Sequence, residues 1–184
     1  MPISNDKNHL YGCIFCKTGY ELDTVAELSK SIEAARFIAP LKTIRRRIKT
    51  GMSKEMEILF PGYIFFQTSG NVSTILIKQN ENVLKVLNTG KYDWRLMGND
   101  ELFAKWVFDH NGIFGLSEAH YVGDKIRIIS GPLMGLDGQI EKVNRRFKTC
   151  QVCISFDHHE FRIWLGYELV EDITAIRERR DGAP

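Results

Sequence analysis

The chain has 184 residues, 43% hydrophobic and 26% charged, with a formal net charge of +2; that composition fits one or two folded domains and excludes a disordered or low-complexity chain. No apolar run approaches the roughly 20 residues that cross a bilayer, and the Met1-Pro2-Ile3-Ser4-Asn5-Asp6-Lys7 start lacks the charged-then-apolar layout of a signal peptide, so a cytoplasmic protein without membrane contact is expected. So small a net charge marks no class of partner by itself, and the distribution of charge along the chain matters more.

Residues 11–17 read as a mostly buried strand, with Gly19 in the turn after it. From Glu21 the apolar positions Leu22, Val25, Ala26, Leu28, Ile32 and Ala35 recur at helical spacing, which predicts an amphipathic helix ending near Arg36. Residues 38–49 and 57–67 are strand-like and flank the polar turn 50–54, predicting a hairpin. Seven basic residues and no acidic one fall between Arg36 and Lys54, among them Arg45, Arg46, Arg47 and Lys49. They are candidate phosphate contacts, the alternative being a solvated strand face.

Alternation through 63–66 places Tyr63 and Phe65 on one sheet face and Ile64 and Phe66 on the other, and Ile64 and Phe66 are expected in the core. A second helical pattern holds Val72, Ile75 and Leu76, followed by a short strand at 83–87. A third helix is predicted over 100–109, with Asn99 as its cap and Asn111-Gly112 as its exit. The fold class is therefore α+β: residues 9–113 form an α/β sandwich with helices on an antiparallel sheet.

After a linker at 114–119 the texture changes to short strands at 125–129, 139–144, 149–156 and 160–165, punctuated early by Gly123, Gly131, Gly135 and Gly138. This spacing predicts a second, all-β domain over 120–173, a small barrel, and then a loose charged tail at 174–184. Its basic group is Lys142, Arg145, Arg146 and Lys148. The turn Asn144-Arg145-Arg146-Phe147-Lys148, an aromatic between cations, suits phosphate contact together with base or sugar packing.

The four cysteines form two C-x-x-C pairs, Cys13 with Cys16 and Cys150 with Cys153, a spacing that superficially suggests zinc. Both pairs sit in strand-like runs, where residues three apart face opposite ways, so no metal and no cofactor is expected. His158-His159 fails as a metal pair for the same reason. No nucleophile with a base partner, Gly-rich phosphate loop or carboxylate pair stands at chemical spacing, which argues against an enzyme.

The run Leu59-Phe60-Pro61-Gly62-Tyr63-Ile64-Phe65-Phe66 resembles the signature strand of the NusG amino-terminal domain, and the run from Val122 to Ile140, with its glycines, resembles a KOW motif. Their order and spacing resemble the NusG family of transcription elongation factors over nearly all of 10–171. That resemblance implies an amino-terminal domain followed by a five-stranded, SH3-like KOW barrel. It also implies an aromatic depression that seats on the clamp helices of RNA polymerase, here Phe15, Phe60, Pro61, Tyr63 and Phe65. Lys17 and Lys30 match basic positions that lie beside non-template DNA, while Glu27 stands where specialised relatives carry a basic or neutral residue. Val72-Ser73-Thr74 occupies the place of a polar loop facing the opposite polymerase pincer.

In the housekeeping member the KOW domain meets Rho or a ribosomal protein near the position of Phe156. Here Ser155 replaces a common aliphatic residue and His158 a basic one, which counts against that coupling. The resemblance therefore implies a monomeric, specialised paralog of the LoaP type, acting in processive antitermination and binding a nascent RNA hairpin. The alternatives are the housekeeping factor and a ribosome-associated KOW protein that binds RNA.

Overall fold

A computed structural model describes residues 9–87, 94–123 and 125–170, the side chains of Arg47 and Asp137 excepted. The predicted tail at 174–184 and Asp124 of the glycine-rich run lie outside the described residues. Within the described residues the chain is a mixed α+β protein with three α-helices and three sheets. The described residues divide into two compact units: one draws on 9–42, 56–87, 94–113 and 155–159, the other on 43–55, 114–123, 125–154 and 160–170.

The first unit is built on a four-stranded antiparallel sheet. Its strands are β1 (Leu10–Cys16), β2 (Ala35–Ile38), β5 (Tyr63–Thr68) and β6 (Val83–Val86), in the order β2-β5-β1-β6. On one face, Ile14, Cys16, Ile64 and Phe66 form a core with Leu28 and Ile32 at the end of α1 (Glu21–Ser31) and with Ile77 of α2 (Thr74–Lys78). The other face carries Tyr11, Cys13 and Phe65, and meets α3 (Asn99–Asp109) through Phe103 and Phe108. Helices thus cover both faces, and the apolar area removed from water on each side stabilises the sheet.

Several expectations shift here. Helix α1 stops at Ser31 rather than near Arg36, because Ala35 to Ile38 pair with Thr68 to Phe65 of β5 and bring Phe37 within 5.7 Å of the Phe66 ring. Its inward face is Glu21, Thr24 and Leu28, whereas Leu22 is exposed. In α2 the buried residue is Ile77; Ile75 and Leu76 face solvent. Gly98, not Asn99, caps α3, with no side-chain cap, and a left-handed Asn111 and Gly112 end it.

Two strands follow β2 as a hairpin, β3 (Leu41–Ile48) and β4 (Gly51–Ile58), and they join the short β7 (Ile113–Phe114) in a sheet of order β4-β3-β7. The hairpin bend is thus shorter than the predicted turn 50–54, since β4 already begins at Gly51.

In the second unit, apart from Ser155, Phe156 and His159 at strand ends, β8 (Ser117–Val122), β9 (Lys125–Ser130), β10 (Ile140–Asn144), β11 (Thr149–Phe156) and β12 (His159–Leu169) form a five-stranded sheet in the order β10-β11-β12-β8-β9. Strand β8 runs parallel to β12 and antiparallel to β9. Along β11 burial alternates, with Cys150, Val152, Ile154 and Phe156 inside. The predicted linker at 114–119 is mostly strand: Ser117 and Ala119 are fully buried and pair with Tyr167 and Leu169. Gly131 illustrates why the glycines matter, since its φ is +87° and a Cβ there would stand 2.8 Å from Ser117 Cα.

Candidate functional site

The aromatic candidates lie on the α3 face of the first unit, but they are more covered than alternation suggested. Pro61 is exposed and Phe15 and Tyr63 are half-buried, their rings 5.2 Å apart. Phe60 and Phe65 are buried. The expectation that Phe65 would lie open is therefore corrected, whereas Ile64 and Phe66 are core as expected. The covering residues are Phe103 of α3, 5.6 Å from Phe65 and 5.2 Å from Phe60, and Phe156, 5.2 Å from Phe65 and 5.9 Å from Tyr63.

Edge-on and tilted contacts of this kind are favourable arrangements for aromatic quadrupoles. Burial pushes the Tyr63 hydroxyl pKa up, with Asp157 adding to it, so this ring presents a neutral phenol. The segment Ser155–His159 that brings in Phe156 is tied down at Asp157, whose N–H donates to Asp100 Oδ1 at 3.1 Å. It turns through Asp157 and His158, both left-handed with φ of 50° and 61°, a conformation that costs a non-glycine residue about 1 kcal/mol.

A buried carboxylate sets the turn beneath these rings. Glu21 accepts the Gly62 N–H at 2.7 Å and the Gly19 N–H at 2.8 Å, while Cys16 N–H donates to Gly62 O at 2.8 Å. Gly62 has φ +84°, and a Cβ there would meet the Phe15 ring at 2.8 Å. Sequence reasoning missed Glu21 because an acidic residue in the first turn of a helix ordinarily reads as a favourable dipole partner.

The basic candidates divide by whether acids reach them. On the hairpin, Arg45 pairs with Glu168 at 2.7 Å, Arg46 with Glu55 at 3.1 Å and Lys54 with Glu168 at 3.1 Å. Much of that run's charge is thus locally compensated; Lys49 is exposed, and the side chain of Arg47 lies outside the described residues. Lys17 follows β1 and Lys30 sits in the last turn of α1, both exposed. The β10–β11 turn brings Arg145, Arg146 and Lys148 together, with Lys142 on β10. Among the described residues no carboxylate pairs with Lys142, Arg146 or Lys148.

The cysteines are free thiols. Cys16 belongs to the core under α1 while Cys13 sits on the α3 side, and Cys150 points inward while Cys153 is half-buried. Burial pushes the Cys13 thiol well up and holds Cys16 and Cys150 at about 11, so these sulfurs stay protonated at neutral pH. Among the described residues no cluster of His, Cys, Asp and Glu could hold a metal ion, and no helix is long and apolar enough to cross a membrane.

No protein-family model and no curated protein matches the chain. Among solved structures it is similar to the one described as "Domain interaction in Thermotoga maritima NusG", with a TM-score of 0.50 and 16% sequence identity, covering 86% of this chain and 93% of that one. At that identity the likeness establishes a NusG-like fold.

Proposed function

We propose that the chain is a NusG-type transcription elongation factor that binds RNA polymerase, specialised like the LoaP group for processive antitermination. The reading rests on the aromatic surface of Phe15, Pro61 and Tyr63, set by a buried carboxylate, on a NusG-like fold. Rigid, partly exposed aromatics lose little conformational freedom when a partner covers them, which is the property of an interface anchor. In this reading the amino-terminal domain seats on the clamp helices and disfavours an open, paused polymerase, so binding energy alone shifts the equilibrium and no catalysis is involved. Docking that reaches Phe65 requires Ser155–His159 to withdraw, because Phe156 now covers that ring.

The second unit is read as a KOW-type barrel. Its cations Lys142, Arg146 and Lys148, none paired with a carboxylate among the described residues, suit the backbone of a nascent RNA hairpin together with Arg145, and exposed Lys17 and Lys30 suit non-template DNA. The test is binding of the full chain to purified core polymerase. Replacing Phe15 and Tyr63 together by Ala is expected to weaken binding about 10-fold or more; undiminished binding by the folded double variant overturns the proposed surface.

A further inference from the structure

The β10–β11 turn is held in place from several sides. Asn144 and Thr149 close it as a strand pair, Asn144 Oδ1 accepts the Phe147 N–H at 3.0 Å, and Lys148 O accepts the Tyr167 N–H at 2.9 Å. The Arg145 guanidinium lies 4.7 Å from the centre of the Tyr121 ring, and the Tyr121 hydroxyl is 2.7 Å from that of the fully buried Tyr167. Burial and the Tyr121 hydroxyl push the Tyr167 hydroxyl pKa up, so Tyr167 stays a neutral phenol that supports the Tyr121 ring under Arg145.

Phe147 projects at the crest of that turn, 63% exposed, with Arg146 5.5 Å from its ring centre. A single exposed phenylalanine is ordinary on a protein surface. This one differs in that its backbone is fixed by a side-chain bond and its neighbours Arg145, Arg146 and Lys148 are cations, so little freedom remains to be lost when a ligand covers the ring. Phosphates satisfy the cations, but a phosphate gains nothing from an aromatic face. A nucleobase does, and only an unpaired base offers its face, since a paired helix stacks its bases internally.

We propose that Phe147 is a base-stacking residue: the turn takes an unpaired nucleobase of RNA against its ring, while Arg145, Arg146 and Lys148 hold the flanking phosphates. The assignment rests on the RNA-binding reading above and sharpens it from phosphate contact to recognition of unpaired nucleotides.

The experiment measures affinity and salt slope of the full chain for three RNAs of equal charge: a hairpin, the same stem with abasic loop positions, and a blunt duplex. Phe147→Ala and Phe147→Leu are each expected to weaken hairpin binding about 5- to 150-fold. The salt slope stays unchanged because no phosphate contact is lost. Both variants should bind the abasic hairpin and the duplex as the wild type does. Leu keeps the apolar bulk, so recovery by Phe147→Leu, unchanged hairpin affinity in Phe147→Ala, or equal losses on all three RNAs each overturns base stacking. Arg145→Ala with Arg146→Ala separates the two readings. A loss with these and none with Phe147→Ala sinks the stacking alone; a wild type that binds none of the RNAs sinks RNA binding and stacking together.

Discussion

Glu21 shows how one side chain can set a turn from beneath, without reaching the surface itself. The residue is 2% exposed, and its carboxylate accepts two backbone N–H groups, one of them from Gly62 between exposed Pro61 and half-buried Tyr63. A hydrogen bond to a charged group contributes about 1.5–3 kcal/mol, and removing the acceptor leaves the buried Gly62 N–H unpaired. Glu21→Ala is therefore expected to lower unfolding stability by about 2–4 kcal/mol in urea titration, and to weaken polymerase binding at temperatures where the variant is still folded. Wild-type binding by a destabilised Glu21→Ala chain would detach the carboxylate from the docking surface. The same local reasoning explains the cysteines, whose alternating directions were legible because strand geometry alone dictates them.

At the scale of elements, the basic hairpin is the instructive case. Strand β3 reads as a stripe of positive charge, yet Glu55 of β4 pairs with Arg46, and Glu168 of β12 is shared by Arg45 and Lys54, so two acids offset part of the charge of three cations. Exposed pairs contribute at most about 1 kcal/mol each, so their larger effect is on the field a polyanion would feel. Arg45 and then Lys54 hold the Glu168 carboxyl below its ordinary value of 4.5. A depressed carboxylate pKa means that the ionised form is favoured in the folded state. Its contribution is fully present above the ordinary glutamate range and is lost as pH falls through the lowered folded value. The stability difference between wild type and Glu168→Gln is thus expected to be largest at neutral pH and to shrink below about pH 4.5. A difference constant from pH 7 to pH 3 would remove the carboxylate's charge from the account.

On the scale of the whole molecule, the first unit includes Ser155–His159, and Phe156 packs on Tyr63 and Phe65, rings that belong to the proposed docking surface. When the competent form is only a fraction of the population, apparent affinity falls by that fraction. Phe156→Ala, if it retains the wild-type far-UV circular dichroism, is expected to bind core polymerase more tightly, by on the order of tenfold. Weaker or equal binding means that the segment does not compete with the partner.

The sequence by itself determined the α+β class, the existence of three helices and the alternation of faces along β5. It also determined the need for glycine at sharp turns. These follow from periodicity and backbone sterics, which act over a few residues. It left open what lies over each face. Ile64 and Phe66 were recognisable as core, but the burial of Phe65 depended on Phe103 and Phe156, which no local period connects to it. The inward phase of α1 was misread for a related reason, since Glu21 and Thr24 are buried polar residues that a hydrophobic pattern passes over. Charge behaves likewise: Arg45 meets an acid 123 positions away, and only the tertiary structure decided which cations an acid reaches.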